Sequence, residues 1–301
     1  MSIPVRIGVV GIGAMGLPIA TNLQRKGHAV RVRDIRESAL QVAAESGLAA
    51  CGSARELAAC SDLLIVVVVD AAQIDEVLFG ADGVVQAAPP AAGARPAVML
   101  CSTIAPQDSA QFGRRLAEAG IATLDAPISG GPVRAGNGTM SIMVAGDRAL
   151  VEQFDGVLHD MASKVFRIGE TLGDGAKTKL VNNLLAGINL AAGAEALALG
   201  TRLGLDPRQL FDVICASSGA SWIFEDRMAR ALVDDYVPRA QTRILTKDVG
   251  LAVRMAAAAD IETPFGREAL RAFEAAVAAG LADEDDAAVI KAVAPEFNAG
   301  A

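Results

Sequence analysis

The six-residue turn Gly11-Ile12-Gly13-Ala14-Met15-Gly16 most narrows the folds open to this 301-residue chain. It joins an apolar, β-branched run, Val5 to Val10, to a helical stretch, Gly16 to Lys26. Glycines at this spacing let a strand reverse tightly into a helix and bring the two close together. They also leave the helix's first N–H groups facing an incoming anion. Eighteen residues beyond Gly16, Asp34 closes a second strand pattern, where a carboxylate accepts hydrogen bonds from ribose hydroxyls. A glycine turn alone is a weak signal. Set between strand and helix and followed by Asp34, residues Gly11, Ile12, Gly13, Ala14, Met15 and Gly16 favour a dinucleotide over a merely structural turn. A carboxylate at 34 repels the 2′-phosphate of NADP, so NAD is the favoured cofactor. Arg33 and Arg36 flank it; either could reach that phosphate, which keeps NADP open, or be a plain solvated charge.

The first half continues in the same alternation. Strand patterns at His28 to Arg33, Leu63 to Val69 and Ala97 to Cys101 are continuous apolar or β-branched runs, with a helix from about Ser38 to Glu45. Further strands are expected near Ala122-Leu124, Ser141-Ala145 and Lys164-Ile168, and the Pro- and Gly-containing stretch from Ala88 to Pro96 reads as a loop. Apolar strands separated by helices mean a parallel, doubly wound sheet covered on both faces, the α/β class.

Composition excludes several partners. Hydrophobic residues make up 52% and charged residues 21%, enough for a large core, and the formal net charge of −8 opposes a nucleic-acid or anionic-membrane surface. The apolar run Leu63 to Val69 is far too short for a membrane span, and the amino terminus lacks a signal-peptide layout. Cys51, Cys60, Cys101 and Cys215 show no CxxC spacing and read as reduced core thiols of a cytoplasmic protein. His28 and His159 have no partner at metal-ligand spacing, so no metal is expected.

From about Gly175 the strand signals stop. Lys177 to Leu203 is one long helical pattern without proline, ended by Gly204, and helices follow around Arg208-Ser217, Trp222-Leu232, Arg243-Ala258, Pro264-Ala279 and Asp285-Val293. An α/β domain over residues 1–168 and an all-α domain over 169–301, opening with the long helix, would place reactants in the cleft between them. On that helix Lys179 and Asn183 are four residues apart and share a face. A desolvated lysine exchanges a proton with a carbonyl or an alcohol, and an asparagine N–H holds the same oxygen. From spacing alone, that reading and a lysine capping polar surface at the helix start stand level.

Four motifs, in order along nearly the whole chain, settle the choice. They are Val9 to Gly16 with Asn22 after it, Asp125-Ala126-Pro127-Ile128-Ser129-Gly130-Gly131, Gly173 to Asn183, and Lys247-Asp248. Together they resemble the β-hydroxyacid dehydrogenases, the 3-hydroxyisobutyrate dehydrogenase-like family. The resemblance implies a Rossmann domain, a long linking helix, a helical C-terminal domain that binds substrate and oligomerises, and dimers or tetramers. It implies hydride transfer between NAD(P) and a small hydroxy acid, with Lys179 as general acid/base and Asn183 orienting substrate. It assigns Ser129, Gly130 and Gly131 to the substrate carboxylate, which suits a glycine turn whose N–H groups form an anion-binding concavity. Thr103 matches a position beside the nicotinamide, and Lys247 a cofactor contact.

Val69-Asp70 departs from the family's usual pair after the third main strand, so these two residues are carried over as cofactor contacts with altered chemistry. The segments Ser217 to Met228 and Glu284 to Ile290 resemble the L-threonate dehydrogenase branch most closely. Ser218 and Ser221 suit a hydroxylated substrate, or cap helices. A 3-hydroxyisobutyrate-type substrate, tartronate semialdehyde reduction and a non-catalytic homologue are the alternatives.

Overall fold

The structure, a computed structural model, describes residues 4–88, 95–295 and 297. The chain forms two compact units, one ending at Lys179 and one beginning at Leu180. The first unit alternates strands β1 (Arg6–Val10), β2 (Ala29–Arg33), β3 (Ala49–Ala50), β4 (Leu63–Val66), β5 (Ala97–Leu100) and β6 (Thr123–Asp125) with helices α1 (Gly16–Arg25), α2 (Glu37–Glu45), α3 (Ala54–Ala59), α4 (Ala71–Phe79) and α5 (Pro106–Glu118). It closes with β7 (Ile128–Ser129), α6 (Gly131–Asn137), β8 (Met140–Ala145), α7 (Arg148–Gln153), α8 (Asp155–Met161) and β9 (Ala162–Gly169).

Strand order is β3-β2-β1-β4-β5-β6-β8-β7, with β9 beside β8. The chain winds outward from β1 in both directions, so the switch between β1 and β4 opens a crevice at their carboxyl ends, where the glycine turn sits. The continuous apolar strands follow from burial on both faces. Leu63 and Ile65 face one core with Val9, Val32, Ile19 and Leu23; Leu64 and Val66 face the other with Leu57, Ile74 and Leu78.

Two features of the sheet differ from the sequence expectation. The strand expected over Leu63 to Val69 stops at Val66. Beyond it, side chains capture the backbone: Val68 N–H donates to Ser102 Oγ at 3.0 Å and Val69 N–H to Gln73 Oε1 at 2.9 Å. The sheet is mixed, because β8 runs antiparallel to β6 and β7. Residues 130–139 link β7 to β8, fewer than the dozen or more that a parallel crossover needs. Of the loop expected from Ala88 to Pro96, residues 89–94 lie outside the described residues.

Helix α9 (Asp174–Arg202) begins in the first unit and continues into the second, joined there by α10 (Pro207–Cys215), α11 (Trp222–Ala231), α12 (Thr242–Ala258), α13 (Pro264–Ala276) and α14 (Val289–Val293). The helix expected to reach Ala279 gives way after Ala276 to a wider turn, Val277–Leu281, because Gly280 takes φ +87°. By length and composition α9 is the one helix among the described residues that could cross a membrane. In the fold, its Leu190, Ala191, Ala194 and Leu197 pack into the second unit's core with Phe224, Val249 and Phe273. Glycines admit these neighbours: a Cβ on Gly193 would fall 2.4 Å from Phe224, and one on Gly187 2.5 Å from Val249.

Candidate active site

The glycine turn is dictated by close approach. Gly11 takes φ +85°, and a Cβ there would lie 2.3 Å from the Val67 carbonyl oxygen; one on Gly16 would lie 1.9 Å from the Gly11 carbonyl oxygen. Gly13 and Ala14 therefore form the outer arc, and among the described residues other than its chain neighbours only Arg36 Nη2 lies within 4 Å of an added Cβ on Gly13. At Met15 no side chain caps α1, and its first turn carries no acidic residue. Leu17 N–H already donates to the Gly13 carbonyl oxygen at 3.2 Å and Pro18 has no N–H, so a phosphate would meet the N–H groups of the turn's own residues, with the helix dipole in its favour. The residues fit a dinucleotide.

Asp34, buried after β2, ties the turn to the sheet. Its Oδ2 accepts the Ile12 N–H at 2.9 Å, and its Oδ1 accepts the Arg36 N–H at 2.9 Å. Arg36 also grips the carboxylate from above, Nε to Oδ1 at 3.1 Å and Nη2 to Oδ2 at 3.2 Å. Burial works to raise the Asp34 pKa; the Arg36 and Ile12 hydrogen bonds and the Arg36 charge outweigh it and hold the carboxyl below its ordinary value. Asp34 is therefore ionised at neutral pH, and a ribose would share it with Arg36.

Around the β4 and β5 ends, Val69 is exposed and Thr103 half-buried. Asp70 caps α4: its Oδ1 accepts the Gln73 N–H at 2.9 Å, while Gln73 Oε1 accepts from Val69. The residue that departs from the family pattern is thus one half of a reciprocal cap.

Ser129 ends β7, and Gly130 (φ +140°) and Gly131 (φ +74°) turn the chain into α6. All three are partly exposed, and among the described residues other than its chain neighbours no atom lies within 4 Å of a Cβ added to Gly131. Only backbone conformation demands glycine at 131, which leaves open space in front of the turn.

Lys179 and Asn183 are both 7% exposed and lie four residues apart on α9. Asn183 belongs to a small polar cluster in the second unit. Its Nδ2 donates to Asp248 Oδ2 at 2.7 Å, its Oδ1 accepts from Asn182 Nδ2 at 3.1 Å, and Lys247 Nζ pairs with Asp248 Oδ1 at 2.8 Å. Lys247 and Asp248 were legible only as a motif; the partnership of Asp248 with Asn183 joins residues 65 apart and leaves no local signal. Ser221 takes the capping role, accepting the Phe224 N–H at 3.2 Å, and Ser218 is exposed. Among the described residues no group of three His, Cys, Asp or Glu side chains could hold a metal ion.

A sheet of this order, with a bare helix start over its first strand, is the framework of a dinucleotide-dependent oxidoreductase. The family model described as the NAD binding domain of 6-phosphogluconate dehydrogenase matches residues 6–169, and that described as the NAD-binding domain of NADP-dependent 3-hydroxyisobutyrate dehydrogenase matches residues 173–293. L-threonate dehydrogenase of Cupriavidus necator is 42% identical over 95% of both chains, and that of Escherichia coli O6:H1 is 41% identical over 95% of this chain and 93% of its own. The crystal structure of a 3-hydroxyisobutyrate dehydrogenase from Salmonella typhimurium superposes with a TM-score of 0.87 at 39% identity, covering 95% of this chain and 99% of that one. The chain belongs to the 3-hydroxyisobutyrate dehydrogenase-like family, in its threonate branch. It is an NAD(P)-dependent oxidoreductase of small hydroxy acids.

Proposed function

We propose that this enzyme oxidises L-threonate or a close polyhydroxy acid, with NAD preferred over NADP. The observation that carries the substrate is the similarity, at 41–42% identity over 95% of the chain, to relatives named L-threonate dehydrogenase. NAD supplies the hydride acceptor when bound. The Ser129-Gly130-Gly131 turn holds the substrate carboxylate with its hydroxyl and N–H groups. Lys179, as the neutral amine, takes the proton of the reacting hydroxyl, and Asn183, its amide fixed by Asp248, orients the same oxygen. Thr103 and Lys247 complete the cofactor contacts. The enzyme works in the cytoplasm, where its four unpaired thiols stay reduced, as a homodimer or homotetramer.

The test is an NADH-absorbance assay of purified enzyme with NAD and a panel of L-threonate, its methyl ester, 3-hydroxyisobutyrate and L-serine, with tartronate semialdehyde and NADH in reverse. L-threonate should give the highest kcat/KM and its ester a poor one. A higher value for another acid replaces threonate as substrate, and an ester used as well as the acid removes the carboxylate role of the Ser129 turn.

A further inference from the structure

The motif that carries Ser129 begins with an aspartate to which substrate binding gives no role. Asp125 is the last residue of β6 and 1% exposed. Its Oδ2 accepts two backbone N–H groups from a segment 48 and 51 residues on, Gly173 at 2.8 Å and Ala176 at 3.0 Å. Both belong to the entry and first turn of α9, whose opening N–H groups have no partners of their own inside the helix. A carboxylate there satisfies two of them and complements the positive end of the helix dipole.

The glycines of the same segment press it onto the sheet. A Cβ on Gly175 would stand 2.6 Å from the Met143 carbonyl oxygen and 2.7 Å from that of Asp125, so the helix start rests directly on the ends of β8 and β6. Gly173 takes φ +103°, and a Cβ there would lie 2.9 Å from the Pro106 carbonyl oxygen at the start of α5. Backbone from three elements therefore fixes residues 173–176, and Asp125 is the side chain that bonds them. Lys179 is three residues beyond Ala176, about 4.5 Å farther along the axis and on the same side of the helix. A slip of the first turn therefore shifts the backbone that carries its side chain.

We propose that Asp125 is a positioning residue: it clamps the first turn of α9 to the sheet end and so holds the Lys179 amine in line with the reacting oxygen. The inference rests on the reading of Lys179 as the acid/base. It also gives Gly173 and Gly175 of the Gly173–Asn183 motif a docking function distinct from the nucleotide-binding glycines at 11 to 16.

The test compares Asp125→Ala, Asp125→Asn and Lys179→Ala by amide exchange and by steady-state kinetics. Asp125→Ala should speed exchange at Gly173 and Ala176 at least about 10-fold and lower kcat about 10- to 100-fold, the effect of a misplacement near 1 Å, with KM for NAD within about 2-fold. Asp125→Asn keeps a carbonyl oxygen for the two N–H groups and should recover most of the loss in both readouts. Should Asp125→Ala not accumulate folded, Gly175→Ala lifts the same helix start by its Cβ and is held to the same numbers. Unchanged exchange at Gly173 and Ala176, unchanged kcat despite faster exchange, or a loss confined to NAD affinity overturns the proposal. Native turnover in Lys179→Ala removes the acid/base reading instead, and the exchange data still report whether the clamp exists.

Discussion

The Asp34 carboxylate and the Arg36 guanidinium face each other in a two-point contact, at 3.1 and 3.2 Å, with the arginine reaching over the outer arc of the glycine turn. One residue thus offers ribose hydroxyls an acceptor while its partner covers that acceptor with a positive charge. A bare ribose would compete with Arg36 for Asp34. A 2′-phosphate would draw Arg36 to itself and be repelled by Asp34. The Arg36 side chain is 58% exposed, whereas Asp34 is buried and bonded to the Ile12 N–H.

Cofactor choice should follow this pair. Arg36→Ala removes the only one of the two that favours a phosphate, so kcat/KM with NADP should fall on the order of 10-fold, a charge-assisted hydrogen bond's worth. The NAD value should hold or rise. Steady-state kinetics with both cofactors measure the ratio. A ratio unmoved by the substitution would mean that Arg36 never meets the cofactor and that Arg33 needs the same test.

Lys179 has a sharper signature. Lys179→Ala should lower kcat by roughly 10²–10⁴-fold, the usual contribution of a positioned general acid/base, while NADH fluorescence titration shows unchanged cofactor affinity. Lys179→Arg should not restore activity, since a guanidinium keeps its proton at any working pH. Turnover near the native rate in the alanine variant would falsify the assignment.

The glycine turn, Asp34 and the strand–helix alternation were legible because they are local: close approach at Gly11 and Gly16 and burial on both faces of β4 leave their mark within a few residues. The antiparallel β8 was not, because nothing in its own sequence records how short its link to β7 is. Asp125 and Asp248 were visible as motif letters, but their partners lie 48 to 65 residues away. The clearest case is in the second unit. Two segments resembled the threonate branch, and Ser218 and Ser221 drew attention to substrate polarity. The structure joins these segments through charge: Arg227 Nε donates to Asp286 Oδ1, and Arg230, two residues past the first segment, donates from Nη1 to Asp285 Oδ2 at 2.8 Å. Both segments contribute to a buried ion cluster of this chain, and helix periodicity could not have paired its members.

That cluster makes the last prediction. Three carboxylates, Asp226, Asp285 and Asp286, meet two guanidinium groups, Arg227 and Arg230, and only Asp226 is well exposed. Such a set holds one more negative charge than positive, and burial makes the surplus costly. Burial also works to raise Asp285, but N–H groups of Arg239 and Ala287 and the charges of Arg227 and Arg230 hold it below its ordinary pKa. Asp286, fully enclosed beside an ionised neighbour, is pushed up to about 7 by burial, against the pull of Arg227. The sign follows from proton counts. Between the unfolded carboxyl pKa of about 3.9 and about 7, the folded chain holds a proton that the unfolded chain has released, so the contribution of Asp286 to stability falls as pH rises through that window. Asp285, shifted the other way, loses its contribution only below about pH 4 and leaves the window clear. Asp286→Asn cannot ionise and leaves two carboxylates facing two guanidinium groups. Calorimetric scans from pH 5 to pH 8 should therefore show the Tm of this variant, relative to the native enzyme, climbing up to about pH 7 and levelling off beyond it. Arg227→Ala, which strands the surplus charge, should lower stability by about 3–5 kcal/mol at neutral pH and less at pH 5. A variant-minus-native Tm difference that stays flat from pH 5 to pH 8 would show that Asp286 is ionised throughout and that the cluster carries its extra charge unprotonated.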